Sequence, residues 1–445
     1  MNTPIYDFLQ QYRESHMSRF HMPGHKGMSF LGCESFDITE VKGADALYEA
    51  EGIIAESEQN AAALFGSRRT LYSTEGSSQC IRAMLYLAVT HRPSQDRPLV
   101  VAARNVHKTF VYAAAMLDIE VVWLWPEDTR SLCGCPVSPA RLEQVLSGLD
   151  RPAAAVYLTS PDYLGRMADI PALSRVAHRH GTLLLVDNAH GAYLRFLQPS
   201  LHPLDQGADL CCDSAHKTLP VLTGGAYLHI SRQLPAIFAE HAKSAMALFG
   251  STSPSYLIMQ SLDLANAAME TYGQCLAEFL PHLERLKADL RAHGYVLMEE
   301  EPLKLTIAVG QYGYAGDAYA AILREQSIVC EFADADHVVM MLTPEIGEAG
   351  LKRLADAMMA VEQKKPLISD TPVFHLQKKA MSIRQAAFSP CETIPVEQSV
   401  GRVLAAATVG CPPAVPIVVC GEIIDEAAVA CFRYYGIDTC TVVKD

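Results

Sequence analysis

Tryptophan is nearly absent from this chain of 445 residues, with two copies, and basic residues are in deficit. Thirty-six Lys and Arg stand against fifty Asp and Glu, a net charge of −14. Binding a phosphate backbone leaves a basic footprint, so no nucleic-acid partner is expected. The surplus of acid suits a cationic small molecule better. The long uncharged run from Val403 to Gly421 holds Pro412, Pro413 and Pro416, which would break a helix. No membrane partner is expected. No internal repeat is visible. The thirteen cysteines are odd in number and lack a disulfide-like rhythm. The opening MNTPIYDFLQQYRESHMSRF has no basic-then-apolar leader, so reduced thiols and a cytoplasmic location are the expectation. Half the residues are hydrophobic and 19% are charged, which excludes disorder and provides for the cores of several domains.

From about residue 66 to 250, apolar runs alternate with helical patterns. The runs are PLVVAA at 98–103, IEVVWL at 119–124, AAVYLTS at 154–160 and TLLLVD at 182–187. Between the last two, IPALSRVAHRH repeats its apolar positions at helical spacing. This strand–helix–strand rhythm predicts an α/β fold with a mostly parallel central sheet. Residues 256–292 read as long and helical, and a weaker α+β pattern runs on to about 363. EQKKPLI at 362–368 reads as a linker. The domain reading is an N-terminal arm at 1–60, a large cofactor-binding domain at 61–255, a small α+β domain at 256–363 and a C-terminal domain at 370–445.

Ligands in open α/β sheets sit beyond the carboxyl ends of strands. Four such ends carry functional side chains: RNVHKT, TSPDYLG, DNAHGAY and SAHKTLP. Asp187 ends a buried apolar strand, where a carboxylate needs a compensating proton or cation. Lys217 sits among neutral neighbours, as a lysine that forms a Schiff base must. Gly76, Ser77 and Ser78 precede an apolar-periodic helix, where glycine and hydroxyls make a phosphate cradle. Aldehyde-holding lysine, ring-nitrogen aspartate and phosphate cradle together describe pyridoxal 5'-phosphate. Taken singly, each has a plainer reading: an N-cap, a turn former, a surface lysine. Lys108 competes for the aldehyde but precedes the aspartate, the wrong order for this architecture, and His107 suits stacking on the ring. No metal is expected. His21 and His25 are separated by Pro23 and Gly24, which forbid a zinc-binding helix, and Cys133-Gly134-Cys135 and Cys211-Cys212 lack a second pair.

FHMPGHKG at 20–27, FDITE at 36–40, TEGSSQ at 74–79, DNAHGAYLRF at 187–196 and SAHKTLPVLTGGAYLH at 214–229 resemble the Orn/Lys/Arg decarboxylase major family. STSPSYLIMQSLD at 251–263 and SVGRVLAAATVGCPPAVPIVVCGE at 399–422 fit as well. The chain is similar to the short form, which lacks the receiver-like N-terminal wing. The resemblance implies an aspartate-aminotransferase-like fold (pyridoxal-phosphate fold type I) with its active site at the interface of a homodimer or higher oligomer. It implies Lys217 as the Schiff-base lysine, Asp187 on the pyridine nitrogen, and His107 stacked on the ring. His190 would lie beside the cofactor hydroxyl and the substrate carboxylate. Ser77, Ser78, Ser214 and His216 would hold the phosphate, with Thr252 and Ser253 reaching it from the neighbouring subunit. Two departures stand out: Gly224-Gly225 replaces a Gln-containing stretch, and the tail reads Cys411-Pro412-Pro413-Ala414 where YPPGIP is usual.

The family acts on arginine, lysine or ornithine, and the reading here leans to arginine, giving agmatine. A cationic side chain needs an acidic pocket end, for which Glu422 and Asp263 are the candidates. The competing readings are a fold type I aminotransferase or carbon–sulfur lyase, and a catalytically silent pyridoxal-phosphate-binding regulatory protein.

Overall fold

The computed structural model describes residues 1–91, 97–126, 134–298, 301–367, 372, 375–409 and 415–444. Residues 411–414 of the tail departure, Cys133 and the end of the expected linker at 368–371 lie outside the described residues. In chain order the strands are β1 (Arg69–Ser73), β2 (Leu99–Ala103), β3 (Glu120–Leu124), β4 (Ala155–Thr159), β5 (Leu183–Asp187), β6 (Leu210–Asp213), β7 (Ala226–Ile230), β8 (Lys304–Ile307), β9 (Phe332–Ala333) and β10 (Val338–Met341). The first four helices are α1 (Pro4–Glu14), α2 (Ile53–Phe65), α3 (Ser77–His91) and α4 (Lys108–Met116). The stretch 256–292 forms two helices, Tyr256–Met269 and Tyr272–Ala292.

The chain packs as two compact units. The first comprises Met1–Gln95, Ala154–Tyr157 and Ile170–Gly273. Its strands follow the order β1-β7-β6-β5-β4. β7 is antiparallel to both neighbours, with Leu228 opposite Leu71 and Cys212, while β5 and β6 run parallel. Every residue of β5 and β6 is buried, which is why both read as continuous apolar runs and not as alternation. Each fully buried Leu or Val contributes about 1.5–3 kcal/mol. The parallel strands β5 and β6 both deliver their carboxyl ends, Asp187 and Asp213, at the same edge.

The second unit comprises Asp96–Ala153, Leu158–Asp169 and Gln274–Asp445, so residues 96–153 cluster with the C-terminal half, across the sequence boundaries at 60, 255 and 363. It holds the parallel pair β2–β3, the antiparallel sheet β8-β10-β9, and a pairing of Cys391–Pro395 with Thr439–Val443. At its centre Arg104, the residue after β2, is fully buried. Its guanidinium donates to both oxygens of Glu422 at 2.8 and 2.7 Å, and its Nε donates to the Pro416 carbonyl at 3.2 Å. The rings of Trp123 and Trp125 lie 4.9 and 5.2 Å from the guanidinium. Removing one partner of such a pair strands a buried charge, at a cost of about 3–5 kcal/mol.

The described cysteines are all free thiols; only Cys275 and Cys391 are exposed. Among the described residues no helix is long and apolar enough to cross a membrane.

Candidate active site

The edge where β5 and β6 end carries most of the expected site. Lys217 lies in the short helix Ala215–Thr218 that follows β6, and its Nζ sits 3.0 Å from His190 Nε2. His190 is buried and Lys217 half-buried. An imidazole neighbour can take a proton from an amine or return one, which a fixed carboxylate would not do at neutral pH. Asp187 is 2% exposed. Its Oδ1 accepts from the Ala189 N–H at 3.2 Å and the Cys212 thiol at 3.7 Å, and its Oδ2 accepts from the Tyr157 hydroxyl at 3.1 Å. Among the described residues none of these partners carries positive charge. A buried carboxylate in that position is completed by a protonated ring nitrogen.

Tyr157 went unrecognised in the sequence. It sits mid-strand in β4, and burial pushes its phenol well up, so it remains a donor to Asp187. A lone hydroxyl inside AAVYL was the available signal.

The cradle forms at the start of α3. Ser214, which follows β6, donates its Oγ to Ser77 Oγ at 2.8 Å, bringing two hydroxyls together at the helix N-terminus. Gly76 adopts φ +69°, and a Cβ there would meet nothing closer than the Ser78 amide at 4.0 Å. Its own N–H is taken by the Gly224 carbonyl at 2.7 Å, so Gly76 shapes the loop and does not offer its amide to a phosphate. His216 donates both its backbone N–H (3.2 Å) and its ring Nδ1 (3.0 Å) to the Gly225 carbonyl, which leaves Nε2 as its remaining nitrogen. Thr252 and Ser253 are exposed, in a loop whose Ser251 N–H donates to Glu75 of the cradle.

These contacts give the Gly224-Gly225 departure a physical meaning. Gly224 has φ +102°, and a Cβ on it would lie 3.0 Å from the Thr74 carbonyl oxygen. Gly224→Ala is therefore expected to cost about 1–3 kcal/mol of local strain. It should lower the thermal midpoint and loosen cofactor retention together. An unchanged midpoint with unchanged retention would show that the loop accepts a side chain.

His107 belongs to the second unit. It is the N-cap of α4, its Nδ1 accepting from the Thr109 N–H at 3.3 Å, and its ring is exposed. Lys108 is exposed at the first position of α4.

Both carboxylates expected to meet the substrate's cation have other work. Glu422 accepts from Arg104 through both oxygens and from the Val419 N–H at 2.8 Å. Asp263 is fully buried, accepting the Ile5 and Tyr6 N–H groups at 2.9 and 3.0 Å and so capping α1. Burial pushes its carboxyl up to about 6. Neither is carried forward as the substrate's counter-charge, because burial and partner, invisible in sequence, decide what a carboxylate can receive.

A cluster of His202, Cys211 and Asp213 has ligand atoms close enough for a metal. Its chemistry points elsewhere. His202 Nδ1 accepts the Leu204 N–H at 3.4 Å, which leaves its proton on Nε2, donated to Asp213 at 3.1 Å. His229 Nε2 meets the same oxygen at 3.1 Å, and Asn188 donates to the other at 2.7 Å. Burial opposes ionisation of Asp213, yet the two imidazoles hold its carboxyl well below the usual range.

The residues thus fit pyridoxal phosphate: a cradle of hydroxyls at a helix start, an uncompensated aspartate at a strand end, and a lysine beside an imidazole on the next strand's loop. A mostly parallel sheet that delivers such a set to one edge defines a pyridoxal-phosphate enzyme of fold type I, the aspartate-aminotransferase-like architecture. The family described as Orn/Lys/Arg decarboxylase, major domain, matches residues 3–296, and its C-terminal domain matches residues 366–439. The chain belongs to the Orn/Lys/Arg decarboxylase family, and is a pyridoxal-phosphate-dependent amino-acid decarboxylase. It is 30% identical to the uncharacterized protein YaaO of Bacillus subtilis, over 96% of this chain and 93% of that one. It is 28% identical to the arginine decarboxylase of the same organism, over 95% and 91%. The lysine decarboxylase LdcF of Francisella novicida shares the fold with a TM-score of 0.82, covering 99% of this chain and 81% of its own at 16% identity.

Proposed function

We propose that this chain decarboxylates L-arginine to agmatine and carbon dioxide, with lysine and then ornithine as the next substrates to test. The contact between Lys217 Nζ and His190 Nε2, on the edge that also holds Asp187, carries the reading. Relatives named arginine decarboxylase, similar over nearly the full chain, support arginine as the first choice.

Bound pyridoxal phosphate supplies the electron sink for the pair left behind when carbon dioxide departs. Lys217 would hold its aldehyde, Asp187 its ring nitrogen, and Ser77, Ser78 and Ser214 its phosphate, with His216 beside them. Asp187, which accepts from the Tyr157 hydroxyl and the Ala189 amide, would hold a proton on the ring nitrogen. His190 and Lys217, in mutual contact, hold the proton that the substrate's α-carbon takes when its bond to the carboxylate breaks. Orientation of that bond, more than acid strength, separates decarboxylation from transamination.

Self-association belongs to the same reading. Phe20, Phe30 and Leu31 of the N-terminal loop are 95%, 78% and 88% exposed, apolar side chains suited to burial against a second copy. Thr252 and Ser253 would then face that copy's phosphate. A cytoplasmic setting and a place in polyamine formation follow from the product.

The test is to incubate cofactor-loaded protein with the standard amino acids plus ornithine and read new amines by mass spectrometry. Agmatine is the expected product. Cadaverine or putrescine instead would move the substrate, and no amine with cofactor bound would remove the decarboxylase reading.

A further inference from the structure

The turn from Ser73 to Gln79, read above as the phosphate cradle, is shaped from behind by residues of its own compact unit. Ser73 ends β1, and its Oγ closes the turn on itself. It accepts the Glu75 N–H at 3.0 Å and donates to Gln79 Oε1 at 2.6 Å, with the Gly76 carbonyl 3.0 Å away. Gln79 is fully buried in the first turn of α3, two residues after Ser77. Its amide nitrogen donates to the Met246 carbonyl and to the Tyr48 hydroxyl, each at 2.8 Å. A carbonyl can only accept, so Met246 fixes which end of the amide is nitrogen. Tyr48 must then accept and Ser73 must donate. Both amide hydrogens and the amide oxygen are thereby engaged, as a buried polar group requires.

Three segments distant in sequence meet at this amide: the cradle turn, the N-terminal stretch around Tyr48, and the end of the helix Ala236–Leu248. They meet without slack. A Cβ on Gly250 would lie 1.9 Å from the Tyr48 hydroxyl and 2.2 Å from Gln79 Nε2, so the backbone there passes directly against the Gln79–Tyr48 bond. One residue further on, the Ser251 N–H donates to Glu75 of the turn. Losing one partner leaves a buried amide hydrogen unpaired and lets the turn shift. Ser77 moves with it, and so does the hydroxyl pair that Ser77 makes with Ser214 at 2.8 Å. We infer that Gln79 is the positioning residue of the phosphate cradle, holding the turn through Ser73, Tyr48 and Met246. It acts through the turn, and Ser77 and Ser214 remain the phosphate's own contacts. The inference rests on the reading of this turn as the phosphate site.

The test titrates the full chain, freed of cofactor, with two ligands. One is pyridoxal 5'-phosphate. The other is pyridoxal, which has the same ring and aldehyde and no phosphate. Tyr48→Phe removes one acceptor from a half-buried side chain, and Gln79→Met removes every bond of the amide at similar volume. Each variant is expected to raise the dissociation constant of pyridoxal phosphate about three- to tenfold, the worth of one hydrogen bond. Each should leave that of pyridoxal unchanged. A loss of stability weakens both ligands alike, so the ratio of the two constants reports the cradle alone.

Equal losses for the two ligands would overturn the inference, because Gln79 would then act through stability. So would unchanged binding of both. If Gln79→Met does not fold, Tyr48→Phe decides. The wild type is measured first. If it binds pyridoxal as tightly as pyridoxal phosphate, the phosphate reading of the turn falls. A wild-type preference for the phosphate that survives undiminished in the variants sinks only the positioning role.

Discussion

Lys217→Ala is expected to abolish amine formation and the visible absorbance of lysine-bound cofactor, while leaving the fold intact. The side chain is half-buried at the surface of the β5–β6 edge, so its loss opens no core cavity. His190 is in contact but offers no primary amine. Adding an external amine should restore a fraction of turnover if the missing group is an amine and nothing else. Turnover of the variant at the wild-type rate would show that the aldehyde is held elsewhere, and Lys108→Ala would be the next variant to measure.

Asp187→Ala is expected to leave the cofactor attached and to lower kcat on the order of 10²–10³-fold, the cost of removing one preorganised electrostatic partner of a transition state. KM should change far less, since the charge it stabilises develops only as the carboxylate departs. The carboxylate is buried with neutral donors on both oxygens, a setting that suits a protonated ring nitrogen. Tyr157→Phe should show the same pattern in weaker form. A variant whose KM rises while kcat holds would assign Asp187 to substrate binding instead.

Much of the site was legible because buried parallel strands announce themselves. TLLLVD and ADLCCD end where β5 and β6 end, and beyond them Lys217 meets His190. Lys217, His190, Asp187, Ser77 and Ser214 came from that rule together with the family resemblance. The strands β1 and β7 were not read out, since RTLYS and AYLHI are short and mix polar with apolar residues. Glu422 and Asp263 look like available charges until their partners are known, and those partners lie 318 and 258 residues away. Arg104 reads as a strand-end loop residue for the same reason. Nothing local in the sequence reports that a charge is buried and already satisfied.

The thiols bear on the chemoselectivity of the site. Cys212 approaches Asp187, and Cys211 precedes it on the same strand, so two thiols lie on the strand that leads to Lys217. Burial pushes both thiols well up, which keeps them protonated and leaves amine chemistry without a sulfur rival. Among the described cysteines, the outward-facing Cys275 and Cys391 are the ones that alkylating reagents and oxidants will meet first. Sulfur damage at the described cysteines should therefore accumulate at the periphery long before it reaches the strand that leads to Lys217.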